Sequence, residues 1–332
     1  MLSTSKINLL FRFFVFLSLR LCVSAVILAF AANAQTLAPG GPGKDAQWAT
    51  AGKQGVGTSA NPESKVWFTL AQGVMTEVYY PDVTTANVHL LQFIVVNPKT
   101  KKVETEQDDA IHEIKVLRPD SLTFQQVNTA KSGKWKVTKT YVSDADSDVV
   151  LIRVAFETKE KGLDLYLFYD PSIANSGMGD SGDGVRIMHP IDGVADWPAR
   201  RVLRAWDSGI YSALAASSAV GQPIGESVLG SSSTGYFGTS DGLTTLKRDN
   251  RLIAYPEARK GNISQTAKID VPNGSAGKSE FTVVLSFGTS TDQAIDSGQS
   301  ALKKGFDKCR TEYERGWANY VKTLPKVDPK YQ

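Results

Sequence analysis

Between residues 89 and 287 the chain repeats one device: a short run of alternating apolar and polar residues, then a cluster of turn formers. Such runs fall at 89–97, 110–117, 122–127, 135–142, 149–157, 163–169, 185–188, 201–206, 211–216, 263–271 and 281–287. The separators include Asn97-Pro98, Arg118-Pro119-Asp120, Ser132-Gly133, Lys161-Gly162 and Pro272-Asn273-Gly274. A period of two suits half-buried strands, because successive side chains point to opposite faces. About a dozen such strands with no intervening helical pattern predict antiparallel sheets packed as a sandwich. No repeat of about 20–50 residues is present, which argues against a propeller or solenoid.

The stretch 64–82 adds a hairpin. Two runs rich in β-branched and aromatic residues flank Gln72-Gly73, which predicts a tight turn with glycine at positive φ. Simple pairing across that turn puts Val66, Phe68, Leu70, Met75, Glu77 and Tyr79 on one face. Trp67, Thr69, Ala71, Val74, Thr76, Val78 and Tyr80 fall on the other. Neither face is polar throughout, so both are expected to be at least partly covered. Packing in the core or at an interface is the expected role of Trp67 and Phe68.

Residues 1–34 carry Lys6, Arg12 and Arg20, no acid, two apolar runs, and a small-x-small site at Ala32-Asn33-Ala34. This is the pattern of a secretory signal peptide, which implies a secreted or periplasmic protein. Arg20, inside the apolar region, favours cleavage over an uncleaved anchor, and Leu21 before Cys22 argues against a lipoprotein. The formal charge of +3 resides in those three cations, so the remaining chain is neutral. A neutral chain offers no nucleic-acid footprint and no polybasic membrane patch. After cleavage Cys309 is the one cysteine left, so no intrachain disulfide is expected. Residues 35–63, rich in Gly, Pro, Ala and Ser, read as an extended leader, and 64–290 as the sandwich.

The pattern changes after Gly288. Thr291 or Asp292 can cap a helix in which Ile295, Leu302, Phe306, Cys309, Tyr313, Trp317, Tyr320 and Leu324 recur at mostly helical steps. This predicts a single amphipathic helix of about 30 residues, about 45 Å long, within a segment 291–332. Its apolar stripe needs a surface to cover it, and the chain reads as interrupted soon afterwards.

Several catalytic patterns fail their context. Gly238-Thr239-Ser240-Asp241-Gly242 fits a serine-hydrolase elbow, but that elbow needs a following helix and a later histidine. His89, His112 and His189 all precede it. Gly55-Val56-Gly57-Thr58-Ser59-Ala60 resembles a dinucleotide loop without the strand and helix that define one. Asp144-Ala145-Asp146-Ser147-Asp148 begins like a calcium loop, yet Val149 replaces the turn glycine and Ala155 the bidentate acid, leaving a polar turn. No cofactor, no metal site and no catalytic residue is expected. The loop 169–184, with Asp170, Asn175, Asp180 and four glycines, is a candidate for ion or sugar contact, although a solvated loop is the plainer reading.

Larger blocks carry a family resemblance. These are 38–43, Trp48, 55–58, 64–70, Gly73, 76–81 and 91–93, then Tyr169-Asp170-Pro171, Asn175-Ser176-Gly177, Gly179-Asp180 and 238–242. Gly305-Phe306, Tyr313, Gly316-Trp317 and Tyr320 complete the set. Together they resemble the N-terminal domain of bacterial glucoamylases and glucodextranases, members of glycoside hydrolase family 15. The resemblance implies an all-β, mutarotase-like super-sandwich, a linker helix, and then an (α/α)6 barrel that carries two catalytic glutamates and cleaves α-glucosidic bonds with inversion. The sequence stops at Gln332, about where that barrel would begin, so neither glutamate transfers to a position here. The implied partners are the barrel and an α-glucan. Tyr79 and Tyr80, before Pro81 at a strand end, join Asp170, Asn175 and Asp180 as candidates for sugar contact. The competing reading is a free-standing carbohydrate-binding sandwich.

Overall fold

The computed structural model describes residues 37–187, 200–218, 227–270 and 277–325. The segment 1–34 expected to be a signal peptide, His189 and the tail beyond 325 lie outside the described residues.

Two antiparallel sheets form the body. The first is ordered β1 (Gly55–Thr58), β2 (Trp67–Ala71), β3 (Val74–Tyr79), β4 (Val88–Asn97), β10 (Asp164–Pro171), β16 (Ile263–Ile269) and β14 (Leu229–Tyr236), with β5 (Lys102–Thr105) beside β4. The second is ordered β15 (Glu257–Gly261), β11 (Asp180–Ile187), β12 (Arg200–Asp207), β13 (Ile210–Ser217), β17 (Gly277–Gly288), β9 (Val149–Thr158), β8 (Trp135–Ser143), β7 (Phe124–Ala130) and β6 (Ala110–Val116).

Alternation sorts the apolar side chains into three layers. Phe68, Leu91, Phe93, Leu165, Tyr169, Tyr141, Ile152 and Phe281 fill the space between the sheets. There Phe68 stacks on Tyr141 at 5.9 Å, and Phe93 meets Phe281 edge-on at 5.8 Å. The opposite-facing residues of β4 and β10, among them Ile94, Val96, Tyr166 and Phe168, form an outer cluster with Leu246 of helix α2 (Gly242–Asp249). Helix α1 (Glu106–Asp109) is a single turn after β5, capped by the Thr105 hydroxyl.

The long C-terminal helix is instead two helices, α3 (Thr291–Lys304) and α4 (Phe306–Thr323). They part at Gly305, whose φ of 84° and ψ of 146° lie in a region that essentially belongs to glycine. The expected stripe is largely covered by the sandwich itself. Ile295, Leu302, Phe306, Cys309 and Tyr313 pack with Val142, Leu151, Ala213 and Val284 on the outer face of the second sheet. Arg153 clamps Asp307 at 2.8 and 3.1 Å, and Tyr313 donates its hydroxyl to the Leu122 carbonyl at 3.1 Å. Tyr320, Val321 and Leu324 remain exposed at the end of the stripe.

Three further expectations need correction. The leader does not stay outside the sandwich throughout, because its residues 55–58 form β1, an edge strand paired with β2. The solvated loop is shorter than 169–184, since β11 starts at Asp180. Gly182 fits that strand because a Cβ there would stand 2.7 Å from Ile263 Cδ1 and 2.8 Å from the Arg204 carbonyl. The hairpin faces also shift. Phe68 pairs with Val78 and Leu70 with Met75, so a bulge intervenes and Val78 joins Phe68 in the core. Thr69 fills the bulge by accepting the Glu77 N–H at 2.9 Å.

Candidate functional site

The hairpin turn places Gln72 at φ 50° and Gly73 at φ 75°, the double positive φ that matches strand twist in a two-residue turn. The bulge that follows sends Glu77 and Tyr79 to the outer face. Tyr79 lies directly opposite Trp67. Trp67 is therefore no core residue; it is 38% exposed, whereas Phe68 is fully buried. Glu77 Oε2 accepts from the Tyr79 hydroxyl at 2.8 Å and from Lys53 Nζ at 2.5 Å. Partial burial, then the hydrogen bond and charge of Glu77, push the Tyr79 hydroxyl up to about 12.

The neighbouring strands supply the second half. Asp170 pairs with Leu90 and Pro171 with Val88, so His89 is left as the extra residue of a bulge. Its Nδ1 lies 2.8 Å from Asp170 Oδ2. Asp170 is buried, and its Oδ1 has no partner among the described residues. Burial holds the Asp170 carboxyl above the ordinary carboxylate range, against the pull of His89. Burial alone would lower the imidazole, but the hydrogen bond and charge of Asp170, with Glu77 beyond, raise it instead. A carboxylate on one ring nitrogen fixes the orientation of the ring and leaves the other nitrogen for contact.

The remaining sequence candidates gather at the same corner, but most face inward. Tyr80 is a core residue, 3% exposed and stacked on Phe287 at 5.6 Å, so it has no face to offer a sugar. Asp180 is buried and accepts the Ile173 N–H at 3.1 Å. Burial pushes its carboxyl well above the usual range, helped by the charges of Asp207 and Asp170. Asn175 is exposed at φ 62°, and its N–H is bound to the Ala86 carbonyl at 2.8 Å. Tyr79 and Asp170 are thus the two candidates that meet through one polar cluster. Sequence reasoning missed Lys53, Glu77 and His89, because their convergence depends on two bulges that no local pattern announces. It also left Trp48 without a role, although that side chain is 74% exposed.

Elsewhere, Asp144, Asp146 and Glu312 converge around Lys304 Nζ, which lies 2.7 Å from Asp144 and 2.9 Å from Asp146. Burial opposes the ammonium charge, yet these carboxylates hold its pKa above the usual lysine range. The polar turn before β9 therefore ties down the end of α3. The serine pattern at 238–242 leads into helix α2, but no histidine follows it in the sequence. Ser240 is also buried, with its Oγ accepting the Tyr236 N–H at 3.0 Å. No helix among the described residues is long and apolar enough to cross a membrane.

The sequence matches the family model described as glucodextranase, domain N, over residues 38–322. The chain belongs to this domain N family. A glucoamylase from Clostridium sp. (strain G0005) is 34% identical over 293 residues, which are 87% of this chain and 38% of the relative. The crystal structure of a bacterial glucoamylase complexed with acarbose matches with a TM-score of 0.76 and 34% identity, over 87% of this chain and 40% of that one. The chain therefore spans less than half the length of these relatives. The domain N match extends through α3 and nearly all of α4, so these helices are part of the unit that the family shares.

Proposed function

We propose that this chain is the exported, non-catalytic N-terminal part of a glucoamylase- or glucodextranase-type α-glucoside hydrolase. Its role is to support an (α/α)6 catalytic barrel in the breakdown of starch or dextran. The observation that carries this reading is its 34% identity to a glucoamylase of which it spans 38%. Tyr320, Val321 and Leu324, exposed at the end of α4, offer a place where a following domain would seat.

The test is turnover. The chain alone is expected to release no glucose from starch, maltodextrin or dextran. Glucose release that survives rigorous removal of contaminating hydrolases overturns the reading. A free-standing carbohydrate-binding sandwich is the second reading, favoured by the burial of the stripe from Ile295 to Tyr313 against the chain's own sheet. Reading the gene past the codon for Gln332 separates the two. Several hundred further helical residues in frame support the first, and a stop codon supports the second.

A further inference from the structure

Among the described residues, the most exposed large apolar side chain is Trp48, and it does not sit on a loose end. The segment that carries it is fixed on both sides. Ala46 N–H reaches Met178 Sδ at 3.3 Å, Lys53 Nζ reaches Glu77, and the Gln54 N–H is bound to the Leu70 carbonyl at 2.8 Å. The loop that holds Met178 follows β10 directly and is pinned to the start of β4 by Ser172 and Asn175. The segment thus runs along the sheet corner where Glu77, His89 and Asp170 meet. At no more than about 3.6 Å per residue, Trp48 stands within about 20 Å of Lys53 along this path. A single exposed tryptophan is ordinary by itself; what singles out Trp48 is that its segment is tethered at both ends to this polar corner.

The corner also has a consistent electrostatic character. Lys53 is paired with Glu77, and His89 with Asp170, so each charge is compensated within the cluster. Free hydrogen-bonding capacity remains. His89 Nε2 has no hydrogen-bond partner among the described residues, and the ring is partly exposed. Trp67 and Tyr79 flank the polar groups from the same face of adjacent strands. An anionic polymer would require uncompensated cations, and an apolar protein surface would require continuous apolar area. Aromatic faces alternating with neutralised donors and acceptors match a neutral, polyhydroxylated chain, whose C–H faces stack on aromatic rings while its hydroxyls bond to polar groups.

We infer that Trp48, Trp67 and Tyr79, with Lys53, Glu77 and His89 between them, form a binding surface for a neutral oligosaccharide. The inference rests on the proposed function only for the identity of the sugar, an α-linked glucan. Asp170 is a positioning residue that holds the His89 ring, not a contact.

Tryptophan fluorescence and its quenching by acrylamide test this on the whole chain, with maltoheptaose and isomaltoheptaose as probes. Either sugar is expected to bind saturably and to shield tryptophan from quenching. Trp48→Ala and Trp67→Ala should each weaken binding at least about fivefold, as for truncated contact anchors. Ile111→Ala, an exposed residue on β6 of the other sheet, should leave binding unchanged. Both tryptophans are partly or largely exposed, so unaltered urea midpoints are expected to accompany the loss. If cello- or xylo-oligosaccharides shield the tryptophans and α-glucans do not, the surface stands and the α-glucan reading falls. If no neutral oligosaccharide shields them, or if both variants bind as well as the parent, the surface itself is refuted.

Discussion

With Nδ1 committed to Asp170, the His89 imidazole has one free edge, and its proton affinity is set mainly from behind. The raised value for His89 means that the folded chain binds this proton more tightly than the unfolded one. The associated stability is fully present below the unfolded value, near pH 6.5, and is lost as pH rises through the folded value. Asp170→Asn keeps an acceptor for the Nδ1 proton but removes the negative charge. The His89 pKa should therefore fall, and the decline of stability with rising pH across this window should flatten. Titrating the imidazole proton by NMR in parent and variant checks this. An unchanged His89 titration would mean that Glu77, and not Asp170, governs the ring.

At the scale of elements, Gly305 decides between two pictures of the C-terminus. Within one continuous helix, Gly305→Ala would stabilise by about 0.5–1 kcal/mol, because glycine is the poorer helix former. With Gly305 at φ 84°, the same substitution should destabilise by about 1–3 kcal/mol, since the backbone there is strained for any side chain. A Cβ at that position meets nothing within 4 Å, so the cost is conformational, not steric. Urea denaturation reads the sign directly, and a gain in stability would restore the single helix. The example shows what sequence periodicity can and cannot deliver. The strands with apolar alternation, such as β4, β8, β9 and β10, are legible because burial imposes their pattern. Leu229–Tyr236, with sequence LGSSSTGY, pairs with β16 and carries almost no alternation, so tertiary pairing alone makes it a strand. The stripe of α3 and α4 is legible as apolar, but its interruption hangs on one φ angle. The same holds at the candidate site. Tyr79 and Asp170 can be named from composition and position. His89 enters through a bulge, and the inward turn of Tyr80 follows from another.

For the molecule as a whole, the two sheets are joined by more than apolar contact. Lys139 on β8 and Glu106 on α1 are both fully buried and 2.8 Å apart. Lys139 Nζ also donates to the Gly73 carbonyl at 2.8 Å, in the β2–β3 turn of the opposite sheet. Glu106 accepts the Phe93 N–H of β4 at 2.7 Å and the Asn128 side-chain amide of β7. One ion pair therefore binds strands of both sheets and fixes how the hairpin carrying Trp67 and Tyr79 sits over the second sheet. Burial pulls the Lys139 ammonium below the usual lysine range, so its charge depends on Glu106 remaining in place. Removing one partner strands a charge in the core, which costs about 3–5 kcal/mol, whereas replacing both with apolar groups is often near neutral. Lys139→Met should therefore destabilise strongly. Combining it with Glu106→Leu should destabilise less than the sum of the two single changes, with a coupling of about 0.5–3 kcal/mol. The double variant still leaves the Phe93 N–H and the Gly73 carbonyl with fewer partners, so recovery is expected to be incomplete. Urea unfolding of the parent, both single variants and the double variant measures the cycle. Strict additivity would mean that the pair acts as two independent polar groups and does not join the sheets as a unit.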